Sequence, residues 1–127
     1  MIRARILVAE DDPDLLETVG AALERLGAEV VTATSGADLI ECIADQGPFA
    51  LIVTDVSMPW MSGLQAMHSA RTAGIDTPII VMTGLTDAHI GARVLALGRN
   101  AALLRKPFEL SELTALVMRL VALERAS

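Results

Sequence analysis

The sequence has few aromatic residues, and this shortage excludes one class of function. Its aromatic side chains are Phe49, Trp60 and Phe108, and it contains no tyrosine. Modules that bind single-stranded DNA or RNA stack the bases on aromatic side chains, so this chain is a poor match for them. A formal net charge of −6 also opposes direct binding to nucleic acid. The core must therefore be aliphatic.

Cysteine and long apolar runs are also scarce. Cys42 is the only cysteine, which excludes an internal disulfide and a cysteine-only metal site, and it is expected to be a small buried hydrophobe. No apolar run approaches the roughly 18 to 20 residues of a membrane helix. The first residues, MIRARILVAEDD, contain too few consecutive apolar residues before the acids to be a signal peptide. These features predict a cytoplasmic protein with no membrane contact.

The 127 residues alternate between short apolar runs and segments with apolar residues at helical spacing. The runs predict strands at 4–9, 28–33, 49–54, 77–83 and 101–105, and the segments predict helices at 13–27, 36–46, 63–74, 87–98 and 109–125. Five strand–helix units with short connections predict one α/β domain, with a doubly wound five-stranded parallel sheet in the flavodoxin-like order 2-1-3-4-5.

Helix signals support these boundaries. Asp12 before Pro13 is expected to cap the first helix, and Gly27 to end it. Ser35 and Thr86 are the expected caps of the second and fourth helices. In the fourth helix the spacing predicts that Ile90, Val94 and Leu97 face the sheet, with Asp87 and Arg93 outward.

Polar residues follow the strands, at the sheet edge where parallel α/β domains bind ligands. They are Glu10, Asp11 and Asp12 after the first strand, Asp55 after the third, Thr83 after the fourth and Lys106 after the fifth. Because the first and third strands are neighbours in the predicted order, their acids should face each other.

Clustered carboxylates need a cation, because two of them about 4 Å apart repel by roughly 4 kcal/mol at an effective dielectric near 20. Oxygen ligands suit Mg²⁺. A metal, the Lys106 ammonium and the Thr83 hydroxyl around one carboxylate would stabilise a phosphoryl group transferring onto it. Since aspartate can act as a nucleophile towards phosphoryl groups, Asp55 is the predicted phosphoacceptor.

Four segments carry a family resemblance. ILVAEDDPDLL, LIVTDVSMPWMSG, PIIVMTG and RKPF, in this order and spacing, resemble the signature segments of the response-regulator receiver domain. The resemblance runs from Arg5 to about Leu123. It implies a phosphorylatable switch that uses Mg²⁺ and is not an enzyme beyond slow self-dephosphorylation.

The resemblance also assigns roles to individual residues. Asp55 matches the phosphoacceptor, Asp11 the direct Mg²⁺ ligand, Glu10 the acid that holds metal-bound water, and Ser57 the residue whose backbone carbonyl completes the metal site. Thr83 matches the hydroxyl that follows the phosphoryl group, Lys106 the phosphate-pairing lysine, and Gly84 the open access position. The Lys106-Pro107 bond is expected to be cis.

One position departs from the family, which usually has an aromatic residue three places before the lysine. Counting back from Lys106 gives Leu103, whereas counting forward from Gly98 gives Ala102. Since neither is aromatic, signalling by an aromatic rotamer is not expected at this position.

The implied partners are a histidine kinase or phosphotransfer protein as phosphodonor, and a downstream protein on the face of helix 87–98, strand 101–105 and helix 109–125. A homodimer is compatible with the resemblance. Residues 1–127 are expected to form the receiver alone, with a core at about 5–123 and no effector domain. The chain is then either a stand-alone receiver or part of a longer regulator or hybrid kinase.

Three other functions were compared with this prediction. A receiver-fold interaction module that signals without phosphorylation is favoured by the missing aromatic residue and opposed by the complete set of acids, threonine and lysine. An aspartyl phosphohydrolase is disfavoured, because such enzymes have a second acid where this chain has Ser57. Dinucleotide binding is disfavoured, because no G-x-G-x-x-G segment follows the first predicted strand.

Several residues have open or ordinary interpretations. Met58, Trp60 and Met61 either plug the sheet edge or present an apolar patch, and partial exposure is expected for Trp60. His68 and His89 stand alone in helices and are expected to be exposed or partly buried.

Overall fold

The fold is seen in a computed structural model that describes residues 3–58, 61–84 and 88–126. The strands are β1 (Arg5–Ala9), β2 (Glu29–Ala33), β3 (Leu51–Asp55), β4 (Ile79–Thr83) and β5 (Ala101–Arg105). The helices are α1 (Pro13–Arg25), α2 (Gly36–Gln46), α3 (Gly63–Thr72), α4 (Ala88–Leu95) and α5 (Leu110–Ala126).

All strand pairs are parallel, and the order β2-β1-β3-β4-β5 confirms the predicted sheet. β1 and β3 pair from Ile6 with Leu51 to Ala9 with Thr54. The residues that follow these two strands therefore leave the sheet side by side at its carboxyl edge. This pairing register therefore determines where Glu10 and Asp55 lie relative to each other.

Two aliphatic layers cover the sheet, because successive residues of a strand face opposite sides. Leu7, Ile52 and Val81 pack under α2, α3 and α4. On the other side, Ile6, Val53 and Ile80 pack under α1 and α5. Cys42 is buried in the first layer, as predicted.

Side-chain caps begin three of the helices. The Asp12 carboxylate accepts hydrogen bonds from the backbone of Asp14 (3.0 Å) and Leu15, and Ser35 accepts one from Asp38, which confirms both predicted caps. Ser62 and Gln65 form a reciprocal capping box at the start of α3 that the sequence analysis missed, although its S-x-x-Q pattern is readable. Thr86 lies outside the described residues.

The fourth helix is shorter than predicted, because it ends at Leu95 rather than at residue 98. The chain tightens there: the Leu97 amide donates to the Val94 carbonyl, and Gly98 adopts a φ of +114° that suits glycine. Ile90, Val94 and Leu97 are buried and Arg93 is exposed, as predicted, whereas Asp87 is outside the described residues.

Three smaller boundary predictions also differ. α1 ends at Arg25 and α3 at Thr72, two residues before their predicted ends, and β3 extends to include Asp55. The Gly27 and Gly74 backbones have φ of 98° and 89°, so each helix stops before its glycine turn. Within the part of the chain that the structure describes, no helix combines the length and apolar character needed to cross a bilayer.

Candidate functional site

Three acids meet at the carboxyl edge of the sheet. Glu10, Asp11 and Asp55 each offer a carboxylate oxygen, and these oxygens lie within 4.8 Å of one another. Glu10 and Asp55 are only 2% and 6% exposed, whereas Asp11 is open to solvent. The predicted meeting of the acids that follow β1 and β3 is confirmed. A cluster of this kind can hold a divalent cation.

The strands hold both buried acids in place. The Glu10 amide donates to the Ala33 carbonyl at 3.0 Å, which continues the β1–β2 pairing by one residue. Asp55 is the last residue of β3 and pairs with Met82 of β4. The Val56 amide then donates to the Met82 carbonyl at 3.0 Å, so the backbone is fixed on both sides of the Asp55 side chain.

Lys106 supplies a positive charge to the acids. Its Nζ lies 3.2 Å from Glu10 Oε1 and 3.3 Å from Asp55 Oδ1. Its backbone amide donates to the Thr83 carbonyl at 2.7 Å, which anchors the end of β5 beside the end of β4. The Lys106-Pro107 bond is cis, as predicted, and so is Gly47-Pro48. The Lys106 ammonium thus contacts two of the three clustered carboxylates.

The excess of negative charge appears in the pKa of Glu10, which is raised from 4.5 to about 7. Burial of the carboxyl is the largest cause, followed by the negative charge of Asp55 and a hydrogen bond with it. Lys106 opposes the shift without cancelling it. Without a further cation the Glu10 carboxyl is therefore partly protonated near neutral pH.

This pKa predicts how stability changes with pH in a buffer containing EDTA. The folded protein keeps a proton on Glu10 that the unfolded chain releases above 4.5, so the free energy of unfolding should fall as the pH rises from about 4.5 through about 7. Urea unfolding at pH 5.5 and pH 8 measures this. In Glu10→Gln the dependence should be flatter; an unchanged slope in that variant would contradict the assignment.

The other predicted residues lie nearby. Thr83 is buried at the end of β4 and pairs with Arg105 in the ladder. Ser57 is exposed, two residues after Asp55, and Gly84 is exposed directly after β4. Because Ser57 follows Asp55 so closely, it lies at the carboxyl edge of the sheet. The role of the Ser57 backbone carbonyl as a metal ligand stays a prediction.

The loop after Asp55 plugs the edge of the core. Met58 and Met61 are partly buried and pack against the layer under α2, α3 and α4, which favours the first of the two interpretations of this loop. Pro59 and Trp60 lie outside the described residues, so the exposure expected for Trp60 is not addressed.

Two residues beside Asp55 were missed by the sequence analysis. The buried Thr54 hydroxyl donates to the Asp55 carbonyl at 3.0 Å. A Cβ on Gly63 would lie 1.9 Å from that same carbonyl oxygen, so the start of α3 approaches the acid as only glycine allows. The sequence shows a glycine at the start of this helix. The requirement for glycine comes from a tertiary contact with β3, which the sequence does not reveal.

The two candidates for the family's aromatic position lie on opposite sides of the sheet. Val81 of β4 pairs with Leu103 of β5, and Leu103 packs on the layer under α4, whereas Ala102 packs on the opposite layer. That Leu103 replaces the aromatic residue stays a prediction. The chain turns at Gly98, with a φ of +114°, before β5 begins.

The fold and the site together define a doubly wound α/β domain with an acidic, lysine-bridged cleft at the carboxyl edge of its sheet. A sequence profile of the response regulator receiver domain matches residues 6–118. The chain belongs to this family, the receiver domains of two-component response regulators.

Individual relatives agree with this assignment. The response regulator receiver protein CpdR of Brucella abortus is 36% identical over 109 residues, covering 86% of this chain and 89% of CpdR. The transcriptional regulatory protein DltR of Streptococcus agalactiae is also 36% identical, over 87% of this chain but 49% of its own length. The chain thus spans about half of DltR. The receiver domain of Francisella response regulator 1452 superposes with a TM-score of 0.87 at 27% identity, covering 98% of this chain and 99% of that one.

Proposed function

We propose that the domain is a phosphorylation switch in which Asp55 accepts a phosphoryl group. The observation that carries this proposal is the contact of Lys106 Nζ with both Asp55 and Glu10 beside a third acid. Asp55 is the last residue of β3, its Oδ1 lies 3.3 Å from Lys106 Nζ, and the neighbouring strand β4 ends at Thr83. Such an arrangement neutralises charge on a transferring phosphoryl group.

Mg²⁺ is the cation we propose for this cluster. Asp11 and Asp55 would bind it directly, Glu10 would hold a metal-bound water, and the Ser57 backbone carbonyl would complete the site. Mg²⁺ prefers a few carboxylates together with retained water, which fits one exposed and two buried acids at the rim of the sheet. When bound, the ion would neutralise the carboxylates and the incoming phosphoryl oxygens.

The phosphodonor in this proposal is the phosphohistidine of a histidine kinase or phosphotransfer protein. A carboxylate oxygen of Asp55 attacks the phosphorus in line, a P–O bond forms, and the P–N bond to the donor imidazole breaks. Lys106 pairs with an oxygen of the transferred group, and the Thr83 hydroxyl donates to another. Slow attack by water on the acyl phosphate resets the domain, so it is no enzyme in the usual sense.

The output surface we propose is the face of α4, β5 and α5, corresponding to predicted segments 87–98, 101–105 and 109–125. It carries the most exposed large apolar side chains of the described residues, with Leu95 77% and Met118 41% exposed. Such side chains are common at protein interfaces. A downstream protein or a second copy could bind here. We place the domain in the cytoplasm, where the free thiol of Cys42 stays reduced.

Intact-mass analysis after incubation with acetyl phosphate and Mg²⁺ tests the phosphoacceptor. Wild type should gain the mass of one phosphoryl group, Asp55→Asn should gain none, and EDTA should suppress the gain. Asp12→Asn is the matched control: it removes the exposed acid that follows Asp11 in sequence while keeping a good helix cap, so labelling should persist. Stoichiometric labelling of Asp55→Asn would sink the assignment.

A second function keeps one observation in its favour. Leu103 occupies the position where the family usually has an aromatic residue, which favours an interaction module that signals without phosphorylation. Amide NMR spectra with and without beryllofluoride, a phosphoryl mimic, distinguish the two functions. The switch requires shift changes that reach α4 and α5, whereas changes confined to the carboxyl edge of the sheet would favour the module.

A further inference from the structure

Charge is unevenly distributed along the chain. Residues 10–46 hold ten of its sixteen acids and a single base, Arg25. Helices α3 and α4 contain no acid, but they hold both histidines together with Arg71 and Arg93. The α3–α4 side is therefore positive in a protein of net charge −6.

A groove runs between α3 and α4 on this positive side. α2 packs directly against α3, whereas α3 and α4 make few direct contacts with each other. Two adjoining cavities of about 320 and 430 Å³ lie between the two helices, and His68 and Arg93 line both of them. The buried Leu64 and Leu97 side chains lie at the first cavity, and the partly buried Met61 lies at the second.

The arginine and the histidine of the groove are available to a ligand. Arg93 and His68 are exposed, and among the residues that the structure describes neither side chain forms a hydrogen bond or ion pair. Arg71 lies beneath one end of the groove, with its Nε 2.7 Å from the Leu97 carbonyl, and adds positive potential. A guanidinium can bind a carboxylate through two parallel hydrogen bonds, and the Arg93 guanidinium has both donors available for this.

We propose that this groove binds an acidic segment of a partner protein. An aliphatic side chain of the segment rests against Leu64 and Leu97, and its flanking carboxylates pair with Arg93 and His68. The charge of the groove, opposite to that of the chain as a whole, selects this partner chemistry. The groove is separate from the acidic site and from the exposed Leu95 and Met118 side chains, so binding does not require Asp55.

Amide NMR with labelled wild-type protein tests the proposal. The probe is a short acetylated peptide of repeating Glu-Leu-Asp-Leu units, and the control peptide carries Gln and Asn in place of the acids. Shift changes should cluster in 64–69 and 92–98, and the control peptide should bind more weakly. Arg93→Gln should raise the Kd about fivefold, the effect of losing one exposed charge contact. His68→Ala should also raise the Kd, because it removes a ring nitrogen that can hydrogen-bond a carboxylate.

Matched variants separate specific docking from general attraction. Arg119→Gln removes one exposed charge from α5, away from the groove, and should leave the Kd unchanged, as should Asp55→Asn. An equal loss in Arg119→Gln, shifts spread over the whole surface, or no binding of the acidic peptide would each overturn the proposal. So would groove shifts that depend on protein concentration alone, since a second copy would then be the occupant.

Discussion

Replacing Gly63 with alanine should destabilise the protein by about 3 kcal/mol and displace the proposed phosphoacceptor. The added Cβ would lie 1.9 Å from the Asp55 carbonyl oxygen and 2.6 Å from Thr54 Oγ1. The carbonyl belongs to the backbone of a fully buried strand, so it cannot rotate away as a flexible side chain would. Either α3 moves outward or the end of β3 shifts, and both change the position of the Asp55 carboxylate.

Urea unfolding and the rate of acetyl phosphate labelling measure the two effects together. Gly91→Ala is the control, because a Cβ at Gly91 in α4 would meet no heavy atom within 4 Å. That variant should gain about 0.5 to 1 kcal/mol from helix propensity and keep its labelling rate. If Gly63→Ala were as stable as Gly91→Ala, the close approach of α3 to Asp55 would be wrong.

Replacing Arg71 with alanine should cost about 2 to 4 kcal/mol of stability. The guanidinium donates to the carbonyls of Leu97 (2.7 Å), Ile75 (2.9 Å) and Thr77 (2.8 Å), and to Asn100 Oδ1 (2.8 Å). It joins the end of α3, the approach to β4 and the turn before β5. Burial lowers the pKa of the guanidinium below its usual value, but an arginine side chain stays charged at any ordinary pH.

Arg71→Lys separates charge from geometry. Lysine keeps the positive charge but lacks the planar fork that reaches these acceptors, so it should recover less than half of the lost stability. Arg93→Ala is the control, since it removes an exposed arginine from α4 and should change the free energy of unfolding by less than about 0.5 kcal/mol. Urea unfolding gives all three values. Full stability in Arg71→Lys would show that the hydrogen bonds are unimportant.

The order of the strands and the main acids could be predicted because they depend on local pattern. Short apolar runs predict buried parallel strands, and the residue after each run lies at the carboxyl edge. Asp12 and Ser35 could be predicted as caps, since a capping side chain binds backbone only two or three residues away. The same logic brought Glu10 and Asp55 together, once the strand order was known.

What could not be predicted depends on contacts between distant residues. Arg71 reads as an ordinary basic residue in the last turn of a helix, and its acceptors lie up to 29 residues away. The early end of α4 also resisted prediction, because Leu97 continues the apolar spacing although the backbone has already turned. The layer on which Leu103 and Ala102 each pack depends on the β4–β5 register, which pairs residues about 22 positions apart.

The origin of the site's residues along the chain has a consequence for folding. Glu10 follows the first strand, Asp55 ends the third, and Lys106 follows the fifth, so the acids come together with β1 and β3 whereas their lysine arrives only with the last strand. A chain that has not yet added β5 would hold these carboxylates without their internal ammonium. A cation that binds the acids of the folded domain would stabilise it by mass action.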